Sequence, residues 1–191
     1  MITVNLRPTL ELTDEQFELI CRNNRDLRFE RTATGELVIM APTGGETGNY
    51  NLNLGSQVFV WDIPQITGKA FDSSTAFKLP NGATRSPDVS WVSLERWQAL
   101  SKEQQRKFVP LCPDFVIELR SPSDELHDLQ QKMQEYLDNG LRLGWLIDPD
   151  TQQVEIYRPG QPVEVLQNPK TLSGESVLPG FVLDLSSIFT D

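Results

Sequence analysis

Pro113-Asp114-Phe115-Val116-Ile117-Glu118-Leu119-Arg120-Ser121-Pro122-Ser123-Asp124 begins as a short apolar run of buried-strand length and ends in a break rich in helix-capping residues. The next segment, Leu126 to Asn139, is amphipathic at helical spacing, and Gly140 follows where a helix C-cap calls for glycine. Leu143 to Ile147 returns to β-prone composition. Strand 114–119, helix 126–139 and strand 143–147 therefore form a β-α-β unit. The unit predicts an α/β (α+β) fold with helices packed on a mixed central sheet.

A carboxylate inside an apolar strand costs several kcal/mol unless it is paired or bound to a metal. Glu118 is one such group, and Asp88 in Ser86-Pro87-Asp88-Val89-Ser90-Trp91-Val92 is another. Two of them on neighbouring strands suggest a cation site. Strand alternation puts Phe115, Ile117 and Leu119 on one face and Asp114, Val116, Glu118 and Arg120 on the other. Asp114 precedes Glu118 by roughly 13 Å at about 3.3 Å per residue, too far for one ion with bonds of about 2 Å. Asp88, across a sheet spacing of about 4.8 Å, is the better partner. The competing reading is that Asp88 caps the turn after Pro87 and Glu118 pairs with Arg120 or Lys132.

Lys132 shares a helix face with Leu129, Met133 and Tyr136, so it points toward the sheet. Two carboxylate strands followed by a helix lysine are the parts of a metal-dependent phosphodiesterase site, where a divalent ion activates water and lysine stabilises charge on phosphate. A structural ion pair with Glu118 is the alternative for Lys132. Gln131 and Tyr136 are weaker candidates, with core packing the simpler role for Tyr136. Glu46, at a helix start after Gly44-Gly45, offers a third carboxylate, although an acid there also favours the helix dipole. His127, the one histidine, reads as a surface residue, and neither a Ser-His-Asp or Cys-His mechanism nor a phosphate loop is in evidence.

With 191 residues and 38% hydrophobic content the chain suits one domain, 1–191. Its 17 basic and 27 acidic residues give a net charge of −10, which argues against coating nucleic acid through a broad basic surface. A metal can neutralise a site locally, and Arg85, Arg120, Lys132 and Arg142 could gather on one face. Cys21 and Cys112 form neither a disulfide framework nor a zinc spacing. No secretory signal opens the chain and no run of about 18 apolar residues spans a bilayer, so a soluble cytoplasmic protein without a membrane partner is expected.

Thr13 and Gln16 predict a capping box on a helix ending near Asn23-Asn24. Leu27 to Arg31 and Glu36 to Met40 flank Thr34-Gly35 as a β-hairpin, and Glu46 to Val60 reads as a helix. Short β-prone runs fall at Ala70-Phe71, Thr75–Phe77 and Asp88–Val92, around the turn Pro80-Asn81-Gly82. Glu95 to Phe108 reads as one polar surface helix, with Lys102 to Lys107 a solvated face. The tail supplies Val154 to Tyr157, Val163 to Leu166 and Val177 to Ile188 as edge strands and closing turns. The edge near Val154 to Tyr157 would allow a homodimer, with no feature fixing its stoichiometry.

The chain resembles the Uma-two family, restriction-endonuclease-like proteins of the PD-(D/E)XK nuclease superfamily, from about Thr13 to Ile188. The resemblance rests on Ser86-Pro87-Asp88-Val89, on Pro113 to Asp124, on Lys132-Met133-Gln134-Glu135-Tyr136 with Gly140, and on Gly144-Trp145-Leu146-Ile147-Asp148-Pro149. It implies a restriction-endonuclease-like fold and a Mg²⁺ or Mn²⁺ site at Asp88 and Glu118, with the Glu46 helix belonging to the site. The superfamily pattern would place lysine at position 120, where this chain has Arg120. Arginine can hold phosphate but stays protonated, and the resemblance suggests that the lysine function has moved to Lys132.

Three functions follow as expectations. The first is a metal-dependent endonuclease acting on DNA, with Asp88, Glu118 and Lys132 catalytic, Glu46 a further ligand, and Arg120 and Tyr136 available to phosphate. The second is an inactive module of the same fold that binds nucleic acid or protein. The third is hydrolysis of a smaller phosphodiester, which suits the acidic surface.

Overall fold

The computed structural model describes residues 2–189. Thr13 opens the first helix through a reciprocal cap, its hydroxyl accepting from the Gln16 amide at 3.2 Å while the Gln16 side chain accepts from the Thr13 amide at 2.9 Å. That helix, α1 (Asp14–Asn23), follows a short strand, β1 (Ile2–Val4). The hairpin of β2 (Arg28–Arg31) and β3 (Leu37–Met40) follows, turning at Gly35 with φ +88°. Phe17, Leu12, Phe29 and Leu37 pack between helix and hairpin.

The long helix α2 (Gly45–Asp62) leads to β4 (Gly68–Asp72), the short pair β5 (Phe77–Lys78) and β6 (Thr84–Arg85), and β7 (Val89–Ser93). One surface helix was expected over 95–108. The chain instead forms α3 (Leu94–Ala99) and α4 (Lys102–Arg106), because Leu100 and Ser101 are extended and Ser101 caps a new helix through Gln104. Next come β8 (Phe115–Leu119), α5 (Leu126–Asp138), β9 (Leu143–Asp148), β10 (Gln153–Tyr157), β11 (Glu164–Gln167), and the hairpin β12 (Thr171–Ser173) with β13 (Val182–Asp184).

The central sheet runs β11-β10-β9-β8-β7-β4, parallel only between β8 and β9, as the crossover through α5 requires. A second sheet runs β1-β3-β2-β6-β5. The expected edge at Val154–Tyr157 is corrected: β10 is paired on both sides, and β11 forms that edge. On one face of the central sheet, Phe115, Ile117 and Trp145 pack with Leu54 and Val58 of α2 and with Leu178 and Phe181. On the other face, Val116 and Leu146 pack with Leu129, Met133 and Tyr136 of α5.

Two glycines set the seating of α5. Gly140, at φ +103°, ends the helix while the Leu141 amide returns to the Tyr136 carbonyl at 3.0 Å. A Cβ on Gly144 would lie 2.5 Å from Met133 Cε, so glycine in β9 lets the helix approach the sheet closely. Lys132 is thereby delivered under the C-terminal end of β8.

Candidate active site

β7 and β8 pair antiparallel with Val89 opposite Ile117, so one step outward Asp88 stands opposite Glu118. Both carboxylates line a cavity of about 120 Å³ whose walls include Lys132, Asp124 and Leu119. Asp88 is oriented from two sides: Oδ2 accepts the Leu119 amide at 2.9 Å and Oδ1 accepts Asn51 Nδ2 of α2 at 3.1 Å.

Glu118, 3% exposed, receives Lys132 Nζ at 2.9 Å and the Tyr136 hydroxyl at 2.9 Å, both on Oε1. The ion pair with Lys132 therefore exists, and Lys132 also lines the cavity. Its ammonium is divided, because Nζ lies equally at 2.9 Å from Glu30 Oε1. Glu30 is buried on β2, accepts the Ser86 amide at 2.9 Å and pairs with Arg85 at 3.1 Å, while Arg85 Nε reaches Glu135 at 2.6 Å.

This arrangement sets the charge states. Burial raises the Glu118 carboxyl to about 7, with Lys132 opposing and the Asp88 and Glu30 carboxylates reinforcing the rise. Burial likewise raises Asp88 against the Leu119 amide and Lys132. For Glu30 burial acts upward too, but Lys132 and Arg85 overcome it and hold the acid below its ordinary range. Burial acts to lower Lys132, yet Glu118 and Glu30 outweigh it and raise the group, so it remains an ammonium and cannot serve as a base.

The remaining sequence candidates fall elsewhere. Glu46 is exposed, accepts the Tyr50 hydroxyl at 3.2 Å and is not among the residues walling this cavity; Asn51, five residues further along α2, reaches Asp88 instead. Arg120 is tied to Asp148 at 2.7 Å and to the Asp124 carbonyl at 3.2 Å. Arg85, Arg120, Lys132 and Arg142 do not form one free basic face, since each is paired with an acid. His127 and Gln131 are exposed and bond one another at 2.9 Å. Glu30 and Asn51 were missed. Glu30 had a faint signal, a charge between Phe29 and Arg31 in the hairpin; Asn51, an uncharged polar residue inside a helix, had none.

The donor set suits a hard divalent cation. Among the described residues no three His, Cys, Asp or Glu side chains converge as one ligand group; the oxygens on hand are those of the Asp88 and Glu118 carboxylates, the ligand type that hard cations take. Asn51 Oδ1 adds a buried oxygen with no hydrogen-bond partner beside Asp88.

A family model described as "Putative restriction endonuclease" matches residues 14–186. The chain belongs to the Uma2 family. A crystal structure of a "putative nuclease belonging to DUF820" from Anabaena variabilis ATCC 29413 superposes with a TM-score of 0.74 at 24% identity, covering 84% of this chain and 89% of that one. No curated protein matches. The Uma2 chain thus has the restriction-endonuclease-like fold, and its family supports nuclease activity in general. Among its described residues no helix is long and apolar enough to cross a membrane.

Proposed function

We propose that this Uma2 protein is a divalent-metal-dependent endodeoxyribonuclease, with Asp88 and Glu118 holding Mg²⁺ or Mn²⁺. The observation carrying this reading is the shared cavity, where the half-buried Asp88 and the buried Glu118 on adjacent strands meet one divided lysine. A bound cation supplies Lewis-acid polarisation of the phosphoryl oxygens and a lowered pKa for a coordinated water. Asp88 is pre-oriented by the Leu119 amide and Asn51, and Glu118 by Tyr136 and Lys132. Lys132, kept protonated, orients the attacking water and stabilises charge developing on the phosphate. Arg120 contributes no base; with Asp148 it braces the loop after β8.

Cleavage of single- and double-stranded DNA in Mn²⁺ and Mg²⁺, with EDTA as the blank, tests the reading. Metal-dependent cutting lost in Glu118→Ala and Asp88→Ala is expected, and cutting unchanged in both variants would overturn it. The net charge of −10 and the paired state of Arg120 favour a second reading, a binding module without catalysis. Calorimetry separates them: absence of Mn²⁺ binding at millimolar concentration points to the module.

A further inference from the structure

Two cations, Lys132 and Arg85, sit between α5 and the second sheet, and three acids meet them: Glu30, Glu118 and Glu135. Lys132 on Glu118 at 2.9 Å and Arg85 on Glu135 at 2.6 Å would already pair both cations. Glu30, buried on β2, is the surplus acid. A buried carboxylate beyond the number needed for pairing costs stability, so the fold alone does not call for it.

Glu30 is also fixed in place. Its Oε1 accepts the Ser86 amide at 2.9 Å and its Oε2 accepts Arg85 at 3.1 Å, while Arg85 is itself held by Glu135. Lys132 and Glu118 wall the polar cavity, whereas Glu30 is not among its lining residues and stands behind the lysine. From there it competes with Glu118 for the ammonium at an equal distance of 2.9 Å. An ammonium committed to Glu118 alone would repel a cation arriving at that carboxylate. One shared with a fixed anion can stay in the site and oppose the cation less.

We propose that Glu30 is a positioning residue that acts through Lys132: it retains the ammonium when a divalent cation takes the Glu118 carboxylate. The proposal rests on the reading of Asp88 and Glu118 as metal ligands, and it names the group that lets a cation and a lysine share one acid. Without Glu30, Lys132 belongs to Glu118 and competes with the metal.

The test is a double-mutant cycle on the full chain, with Mn²⁺ affinity read by calorimetry at pH 8 for wild type, Glu30→Gln, Lys132→Met and the double variant. Glutamine keeps an acceptor for the Ser86 amide and removes the charge that holds the ammonium. Glu30→Gln should weaken Mn²⁺ binding about tenfold, the lower end of what groups behind a metal ligand contribute. In the Lys132→Met background the same substitution should change affinity less than about twofold, because no ammonium remains to be held. An equal factor in both backgrounds would mean that Glu30 acts on the cation directly or through packing, and would overturn the proposal. Unchanged affinity in Glu30→Gln would overturn it too. If Glu30→Gln does not fold, wild type carries the test through the Lys132 Nζ resonance of ¹⁵N-lysine-labelled protein, assigned by its loss in Lys132→Met. That resonance should stay protected from solvent exchange as Mg²⁺ is added, and its loss to exchange would show the ammonium released and the proposal wrong. Absence of Mn²⁺ binding to wild type would remove the metal reading and the proposal together, whereas a positive cycle without DNA cutting would remove the nuclease reading alone.

Discussion

Asp114 and Glu118 bracket β8 on the same strand face, and both are buried, at 1% and 3% exposure, yet they are held differently. Asp114 has both oxygens engaged: Oδ1 by Arg96 at 2.9 Å and Arg142 at 3.7 Å, Oδ2 by the Ser93 amide at 2.8 Å. Those guanidiniums reach solvent, so Asp114 is neutralised by cations that remain hydrated. Glu118 has its described contacts on one oxygen, from a lysine that Glu30 shares and a tyrosine. Asp88 adds negative charge beside it. A buried acid with a full set of donors acts as a joint of the fold. One whose only ammonium is divided keeps a demand for a further cation, which is the property a metal ligand needs.

The comparison breaks most sharply under mutation. Glu118→Ala should reduce kcat/KM on DNA by at least about 10³-fold, since transition-state stabilisation worth about 4 kcal/mol leaves with the metal. Asp114→Ala should leave cleavage by the folded protein within about threefold of wild type. It should cost about 2 kcal/mol of stability, as the buried Ser93 amide loses its acceptor. Steady-state cleavage and urea unfolding on the two variants check both sides, and comparable loss of cleavage in each would erase the distinction.

The charge state of Glu118 sharpens it. In metal-free buffer the folded protein holds this proton up to about pH 7, against 4.5 as the ordinary glutamate value, so the group's stabilising contribution is complete below about 4.5 and lost as pH rises to about 7. The contribution amounts to about 3 kcal/mol. Unfolding free energies in EDTA at pH 5 and pH 8 should therefore fall more steeply in wild type than in Glu118→Gln, which cannot titrate there. Parallel profiles would mean that the carboxyl is ionised throughout.

Lys132→Met comes next. Removing the ammonium should lower kcat by about 10²-fold, the scale of one electrostatic donor to a developing charge, with a smaller change in KM. Because it also leaves Glu30 and Glu118 buried without their shared partner, the variant should unfold at lower urea. A kcat near wild type in the folded variant would reduce Lys132 to a structural cation.

Much of this was legible in the sequence because the decisive signals were local. The alternation at Phe115–Leu119, the four residues on one face of α5 and the capping pair at Thr13 and Gln16 each follow from a periodicity, and each matches the fold. The opposition of Asp88 and Glu118 was also within reach, since neighbouring strands leave few alternatives. Glu30 was not, because its role depends on β2 of the second sheet meeting α5 across a large sequence separation. The division of 95–108 turned on Ser101, whose capping competes with helix continuation in a way that composition does not register.

Helix α2 offers the finest version of the comparison, between Glu46, which sequence nominates, and Asn51, which geometry does. Glu46 carries the charge but is exposed and bonded to Tyr50, so Glu46→Ala should change Mn²⁺ affinity less than twofold. Asn51 carries none, yet its amide fixes Asp88 while its Oδ1 lies buried without a partner. Groups that orient a metal ligand are typically worth 10- to 100-fold in affinity, and Asn51→Ala should weaken Mn²⁺ binding about tenfold by calorimetry. Asn51→Asp separates its two roles, because it restores an oxygen donor while losing the N–H to Asp88 and adding a third acid. Recovery of affinity in Asn51→Asp would make the side chain a ligand, whereas continued weakness would make it the positioner of Asp88. A larger loss in Glu46→Ala than in Asn51→Ala would return the third ligand to the helix start.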